Sequence, residues 1–284
     1  MVASATGKKT FALTPEQLEQ FHRDGYVVVR QFLNPDEVAT IRDTFMEMNK
    51  NGPVEGLSEM RRGKSEAYDS SDPLRFYPRM MQPHSHPDKP VGPLASQYML
   101  HPRLHGILRD LFDDEPLAVQ SMFYFKPPGA RGQDLHQDDF YLRTKPGNCM
   151  AAWMAIDDAD EENGGMVCVP GTSDYDVVCP EKSDPTRFFT TEHVEPPPGT
   201  KPVPCNLKAG DVLFFNGRVI HGSYPNTSKT RFRRALICHY VPEHSTELSQ
   251  GYRFPTRFDG ATINIPAAVG GGPCGTLHVP SSPH

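Results

Sequence analysis

The 284-residue sequence is 37% hydrophobic and 23% charged, with 16 Phe and 10 Tyr, which excludes a wholly disordered or collagen-like chain and is ample for one sizeable core. Its 29 Pro and 23 Gly point to many turns and short strands and away from an all-helical bundle. A net charge of −6 has the wrong sign for a general binder of phosphate backbones, no stretch approaches the roughly 20 apolar residues of a transmembrane helix, and the N-terminus has no apolar signal-type core. Nucleic acid and membrane are therefore not expected partners.

Residues 1–12 are small and polar and are expected to be disordered. Structure then starts with Thr14-Pro15-Glu16-Gln17, an N-cap, a proline at the first helical position and a capping-box partner, and Gly25 is placed to close that helix. A short strand at 26–29 follows, and Asn34-Pro35-Asp36-Glu37 opens a second helix with Val38, Ile41, Phe45 and Met48 on one face. From 51 to 93 the pattern dissolves into Gly, Pro, Ser, Met and scattered arginines, long enough to read as a lid-like loop. Pro102 begins a further helix carrying Leu104, Ile107, Leu108 and Leu111.

Strands are expected at 119–125, 149–156, 166–169, 212–215, 219–223 and 231–241, short, apolar and separated by turn signals. The chain reads as mainly β, an antiparallel sandwich or barrel of the jelly-roll kind with flanking N-terminal helices, forming one domain over 13–243. Residues 244–284 form a Gly- and Pro-rich C-terminal extension that suits an arm, an edge cover or a dimer contact. The six cysteines, at 149, 168, 179, 205, 238 and 274, contain no CxxC pair, so most are expected to be buried reduced thiols of a cytoplasmic protein.

A His-x-Asp pair on a strand puts both side chains on one face, where one metal can take an imidazole and a carboxylate together. The chain has three such triplets. His22-Arg23-Asp24 lies in a helical turn, where residues two apart point about 200° apart, and His86-Pro87-Asp88 reads as a turn. His136-Gln137-Asp138 follows an apolar strand and precedes another, and it needs a third ligand, for which His221 at the end of an apolar run is the candidate. Across a Pro225-Asn226-Thr227-Ser228 turn, a hairpin would return Arg233 beside that histidine. Two histidines and a carboxylate on one face of a metal are the ligands of non-haem Fe(II) oxygenases, and zinc hydrolases use the same set. A buried guanidinium implies an anion, and a dicarboxylate such as 2-oxoglutarate tilts the choice to iron.

These residues carry a resemblance to the phytanoyl-CoA dioxygenase family of Fe(II)/2-oxoglutarate oxygenases, from about Leu13 to Val241. The matching motifs are Asp-Gly-Tyr-Val-Val-Val at 24–29, Leu-His-Gln-Asp at 135–138, Ala-Ala-Trp-Met-Ala-Ile-Asp-Asp at 151–158, Glu-Asn-Gly-Gly at 162–165, Val-Pro-Gly-Thr at 169–172, His-Gly-Ser at 221–223 and Phe-Arg-Arg-Ala-Leu at 232–236. The resemblance implies a double-stranded β-helix with His136, Asp138 and His221 on Fe(II) and Arg233 on the far carboxylate of 2-oxoglutarate, O2 being the second cosubstrate. Arg231 and Arg234 compete for the arginine role by proximity, and strand alternation faces Arg234 away from Arg233. It also implies Ser223 on the distal carboxylate, Gln133 or Gln120 at the other end, and Trp153 as a wall, each with a plain core reading beside it.

Asp134 and Asp139 flank the ligands as partners of the imidazoles or as solvated loop carboxylates, and His239 shares a strand face with Arg233 as a pocket or core histidine. The reaction so implied is decarboxylation of 2-oxoglutarate to succinate coupled to C–H oxidation. A carboxylate at position 138, where related halogenases carry a small residue, favours hydroxylation, desaturation or ring chemistry. The substrate is expected to be a small metabolite or natural-product intermediate. It would be contacted by 53–93, by Phe140, Tyr141 and Arg143, and by 173–204, with Arg61, Arg62, Arg75 and Arg79 as further cations. A homodimer is the one macromolecular assembly envisaged. The rival classes are a zinc hydrolase and a non-catalytic jelly-roll module that binds 2-oxoglutarate or another ligand.

Overall fold

In the computed structural model, which describes residues 12–59, 78–270 and 272–275, the first helices begin where their caps put them. The Thr14 and Asn34 side chains accept from the N–H groups of Gln17 and Glu37, whose own side chains accept from the cap N–H, opening α1 (Pro15–Asp24) and α2 (Pro35–Met48). Gly25 ends α1 at φ +80°, where an added Cβ would lie 2.5 Å from Val219. The strand β1 (Tyr26–Val29) joins the two helices. Of the segment expected to be disordered, 1–11 lie outside the described residues, and the Ala12 N–H donates to Asp110.

The 51–93 stretch is only partly a loop. Residues 60–77, with Arg61, Arg62 and Arg75, lie outside the described residues. The remainder includes an edge strand, β2 (Arg79–Met81), a 3-10 turn at Pro83–Ser85 and the start of α3 (Val91–Met99), followed by α4 (Pro102–Phe112). The sequence hid α3 because Gly92 and Pro93 look like breakers. Pro is tolerated in a first turn, and Gly92 lets the helix pass so close to the His86 carbonyl that a Cβ there would sit 2.0 Å from its oxygen.

The remaining elements are β3 (Pro116–Tyr124), β4 (Gln133–His136), α5 (Asp139–Leu142), β5 (Met150–Ala155), β6 (Met166–Cys168), β7 (Glu181–Lys182), β8 (Glu192–His193), β9 (Val203–Cys205), β10 (Val212–Asn216), β11 (His221–Ser223) and β12 (Ala235–Pro242). They form a six-stranded sheet in the order β1-β10-β5-β12-β3-β2, a four-stranded sheet β4-β11-β6-β9, and the pair β7-β8. All of these pairings are antiparallel. This is the expected double-stranded β-helix.

The period of two along the large sheet explains its two faces. Met150, Ala152, Met154, Val212, Phe214, Leu236, Cys238 and Tyr240 pack with Phe21, Ile41, Phe45, Ala95 and Leu108 of the helices, where Phe45 and Phe123 stack at 4.0 Å. The alternate residues Ala151, Trp153, Leu213, Phe215, Ala235 and Ile237 turn into the barrel with Met166 and Cys168 of the small sheet. Burying the helical face of this sheet is what fixes the register of the inner face.

Two expectations need correction. The strand expected at 231–241 starts at Ala235, because Asn226 and Ser228 donate to the Arg231 carbonyl and hold the preceding residues out of the ladder. No hairpin links His221 to Arg233: β11 pairs with β4 and β6, whereas β12 pairs with β3 and β5 in the other sheet. Beside the four buried free thiols Cys149, Cys168, Cys205 and Cys238, Cys179 and Cys274 form a disulfide across 95 residues.

That bond ties the 173–204 segment to the C-terminal extension. Leu248, Tyr252 and Ile265 of the extension are buried with Phe140, Tyr141 and Leu142, and Thr256 bridges to Ala118 of β3. Among the described residues, no helix is long and apolar enough to cross a membrane.

Candidate metal centre

Antiparallel pairing of β4 with β11 sets His136 directly opposite His221, with ring centroids 4.2 Å apart. Each imidazole is fixed by its own strand: Nδ1–H of His136 donates to the Asp134 carbonyl and that of His221 to the Val219 carbonyl, both at 2.8 Å. Those bonds set the tautomer and leave both Nε2 lone pairs facing inward. Asp138 arrives by a route the sequence misjudged. It is not on a strand but in the αR conformation at the start of α5, so the turn out of β4 and not strand parity swings its carboxylate toward the histidines.

Asp138 Oδ1 lies 3.4 Å from His136 Nε2 and 3.5 Å from His221 Nε2. The three donor atoms lie within 4.8 Å of one another, and the residues are only 4%, 1% and 2% exposed in chain order. Burial, then the neighbouring His221, holds the His136 imidazole below its usual pKa range, in the neutral form that ligates a metal. The donor set thus fits one divalent metal with positions left open on the far side. Among the described residues, neither His22 and Asp24 nor His86 and Asp88 join such a group; Asp24 pairs with Arg23 and Asp88 with Lys89 at the surface.

The second oxygen of Asp138 is already held. His239 on β12 donates Nε2–H to Oδ2 at 2.9 Å, and its Nδ1 accepts from the Gln120 amide at 3.1 Å. Gln120, expected at the cosubstrate, therefore stands behind the metal corner, and His239, which the sequence suggests more readily as a satisfied core histidine, contacts the Asp138 carboxylate.

The cavity facing the metal corner encloses about 350 Å³ including its open mouth, and Gln133, Trp153, Ser223, Arg233 and His239 line it together with the three metal-corner residues. Arg233 is 2% exposed, its Nε donates to the Gly164 carbonyl at 2.9 Å and its guanidinium lies 5.2 Å from the Trp153 ring centre. Its two competitors are paired elsewhere, Arg231 with Asp160 and Glu162 and Arg234 with Asp157. Gln133 accepts from the Tyr124 hydroxyl at 3.2 Å and donates to His136 Nε2 at 3.0 Å.

Of the weaker substrate candidates, Tyr141 stands edge-on to the His136 ring at 6.3 Å. Phe140 packs against Tyr141 and the C-terminal extension, and Arg143 reaches away to the Gly270 carbonyl. Asp134 binds Ser183 and His193, and Asp139 accepts the N–H groups of Thr144 and Cys149. Arg79 is buried and bound to Glu59 and the Tyr124 hydroxyl. Residues that sequence reasoning passed over include Tyr124, Met122 and Ile237 in the cavity wall and Lys126 beside it. Alternation along β3 and β12 was the available signal for the first three.

A jelly-roll barrel whose paired strands present two histidines and a carboxylate, with an arginine in the same cavity, defines the non-haem iron oxygenase class of site. Residues 21–235 match the phytanoyl-CoA dioxygenase (PhyH) family. The chain belongs to that family. It is 26% identical over 265 residues to "Phytanoyl-CoA dioxygenase 1" of Oryza sativa subsp. japonica, covering 84% of this chain and 92% of that protein. It is likewise 26% identical to "Phytanoyl-CoA dioxygenase domain-containing protein 1" of Mus musculus, covering 84% and 94%.

Among solved structures, the fold is similar to the α-ketoglutarate-dependent carbocyclase SnoK from nogalamycin biosynthesis, at TM-score 0.61 and 23% identity over 98% of this chain and 96% of that one. It is also similar to the epimerase SnoN in complex with Fe3+, α-ketoglutarate and nogalamycin RO, at TM-score 0.62 and 20% identity over 81% and 84%.

Proposed function

We propose that the protein is an Fe(II)/2-oxoglutarate-dependent dioxygenase that couples decarboxylation of 2-oxoglutarate to succinate and CO2 with oxidation, most simply hydroxylation, of a C–H bond in a small metabolite or natural-product intermediate. The observation that carries this reading is a single cavity lined both by the His136, Asp138 and His221 donors and by the buried Arg233 guanidinium. Bound Fe(II), 2-oxoglutarate and O2 supply the oxidising chemistry.

The chain's own groups hold and orient those partners. The Nε2 atoms of His136 and His221 and Oδ1 of Asp138 would hold the metal, while His239 keeps Oδ2 occupied and the carboxylate in one orientation. Arg233 and Ser223 grip the distal carboxylate, each charge-assisted bond worth about 1.5–3 kcal/mol. Trp153, Met122 and Ile237 keep water from the cavity. A cytoplasmic setting belongs to the same proposal and is supported by the four buried free thiols, with the Cys179–Cys274 bond as the feature on the other side.

The test is anaerobic addition of Fe(II) and then 2-oxoglutarate to metal-free protein, followed by O2. A visible charge-transfer band and then succinate are expected. Folded, iron-loaded protein that gives neither would overturn the reading, and turnover of a substrate without O2 or 2-oxoglutarate would replace it with a zinc hydrolase. Product analysis separates hydroxylation from the epimerase and carbocyclase outcomes named for the similar structures.

A further inference from the structure

β3 runs out into Phe125 and Lys126, and Lys126 sits at φ +33° with its side chain turned inward and 2% exposed. Lysine is rarely buried without partners, and here Nζ meets three oxygens: the Ser223 hydroxyl at 2.8 Å, the Gly164 carbonyl at 3.1 Å and the Tyr224 carbonyl. That is one acceptor for each proton of an ammonium. The Gly164 carbonyl also receives Arg233 Nε, and the Arg233 N–H donates to the Lys126 carbonyl at 3.1 Å, so two buried cations are built around one peptide. Gly164 of the Glu-Asn-Gly-Gly turn makes this possible: at φ +85° an added Cβ would come within 2.8 Å of both Lys126 Cδ and the Tyr224 oxygen.

The consequence falls on Ser223. Its Oγ accepts from Lys126 Nζ and from the Gln133 N–H at 3.2 Å, which uses both lone pairs. The hydroxyl proton is left to donate, and Ser223 lines the cavity beside Arg233. A donor turned inward next to a guanidinium is an anion site. Burial and the adjacent Arg233 both push the Lys126 pKa well down, an electrostatic load that an anion in the cavity relieves.

We propose that Lys126 is a positioning residue for the distal carboxylate of a 2-oxo diacid: it fixes the Ser223 hydroxyl as a donor into the cavity and adds positive potential behind Arg233. The pocket thereby selects a dianionic over a monoanionic 2-oxo acid. This rests on the cosubstrate reading above and names a residue, Lys126, to which that reading gives no role. A lysine that merely clips β3 to the 223–224 backbone would affect stability but not the choice between acids.

The experiment compares 2-oxoglutarate with 2-oxovalerate, which has the same chain length and no distal carboxylate, on Fe(II)-loaded protein without O2, following the charge-transfer band. Lys126→Met is expected to raise the Kd of 2-oxoglutarate about tenfold or more while moving that of 2-oxovalerate less than about twofold. Equal losses for both acids, or none, would overturn the proposal. Ser223→Ala keeps the question open to refutation if the lysine variant does not fold, because it must show the same selective loss, and an unchanged ratio of the two affinities would defeat the idea. Wild-type protein that binds neither acid would instead remove the cosubstrate reading itself.

Discussion

The metal corner and the wall around Tyr124 both start from a strand pair and are completed differently. At the corner, two paired strands supply the histidines, backbone carbonyls lock both rings, and a histidine from the facing sheet holds the carboxylate. The wall starts from one strand pair and is finished by side chains from irregular segments. Arg79 on β2 bonds to Glu59 and to Tyr124, and its guanidinium lies 5.6 Å from the ring centre of Phe189, which belongs to the irregular chain between β7 and β8. The corner is preorganised by the sheets themselves. The wall shares one strand pair, Arg79 opposite Tyr124, and is completed by Glu59 and Phe189 from irregular segments, which are the part of such a barrel free to differ with substrate.

The sharpest way to break this comparison is at the corner. His136→Ala and Asp138→Ala are each expected to reduce Fe(II)-dependent succinate formation to the level of metal-free protein while the circular dichroism of the barrel is retained. A variant with wild-type turnover would remove that residue from the ligand set. Arg233→Ala is expected to raise the apparent KM for 2-oxoglutarate by one to two orders of magnitude, the loss of one charge-assisted fork, with Fe(II) affinity unchanged in a direct titration. His239→Phe comes next. It frees Asp138 Oδ2 and is expected to weaken metal binding by about 10–100-fold, read from a Co(II) binding isotherm, with the thermal midpoint measured in parallel to separate positioning from packing.

How much of this was legible in the sequence follows the same division. Capping boxes at Thr14 and Asn34 announced their helices because the signal is local. The His136, Asp138 and His221 cluster was legible because few chemistries use that trio, although strand parity was the wrong reason for Asp138. Arg233 is distinguished in the sequence by the Phe-Arg-basic-Ala pattern and by facing opposite to Arg234, and their contrasting burial and pairing agree, even though neither residue is in a strand and no hairpin joins Arg233 to His221.

Lys126 and the relay from Gln120 through His239 to Asp138 were not legible. Their partners lie 38 to 119 residues away in sequence, and nothing local distinguishes a buried lysine from a solvated one. The Cys179–Cys274 bond, whose ends are 95 positions apart, was hidden for the same reason.

Phe189→Ala tests the wall. It is expected to leave 2-oxoglutarate affinity within about twofold of wild type, since loops tune substrate and not the metal corner, while changing which compounds in a substrate library stimulate succinate formation. A large loss of cosubstrate binding would make the wall part of the same preorganised unit.

The smallest effects concern pH, and they separate two segments flanking the barrel by sign. His193 on β8 binds Asp134 at 3.0 Å and Glu195 at 3.2 Å, beside the bond from Ser183 to Asp134 at 2.7 Å that also fastens the β7-β8 pair. Burial alone would lower its pKa, but the two carboxylates outweigh that and raise it above 6.5. A raised folded-state pKa means that this contribution to docking is complete below 6.5 and is lost as pH rises through the higher value. His84, in the 3-10 turn after β2, is the reverse: burial, then the neighbouring His86, pushes it down to about 4, and Nδ1 bonds to Ser121 at 2.8 Å.

The unfolded chain takes up a proton on His84 near 6.5, so its contribution is complete above that value and fades as pH falls toward about 4. For a half-buried ring the effect is on the order of 1 kcal/mol after solvent screening. Hydrogen exchange across this range is expected to show β7-β8 amides losing protection on the alkaline side and amides of the Pro83–Ser85 turn on the acid side. Parallel changes in both segments would mean that they respond to global stability and not to these two histidines.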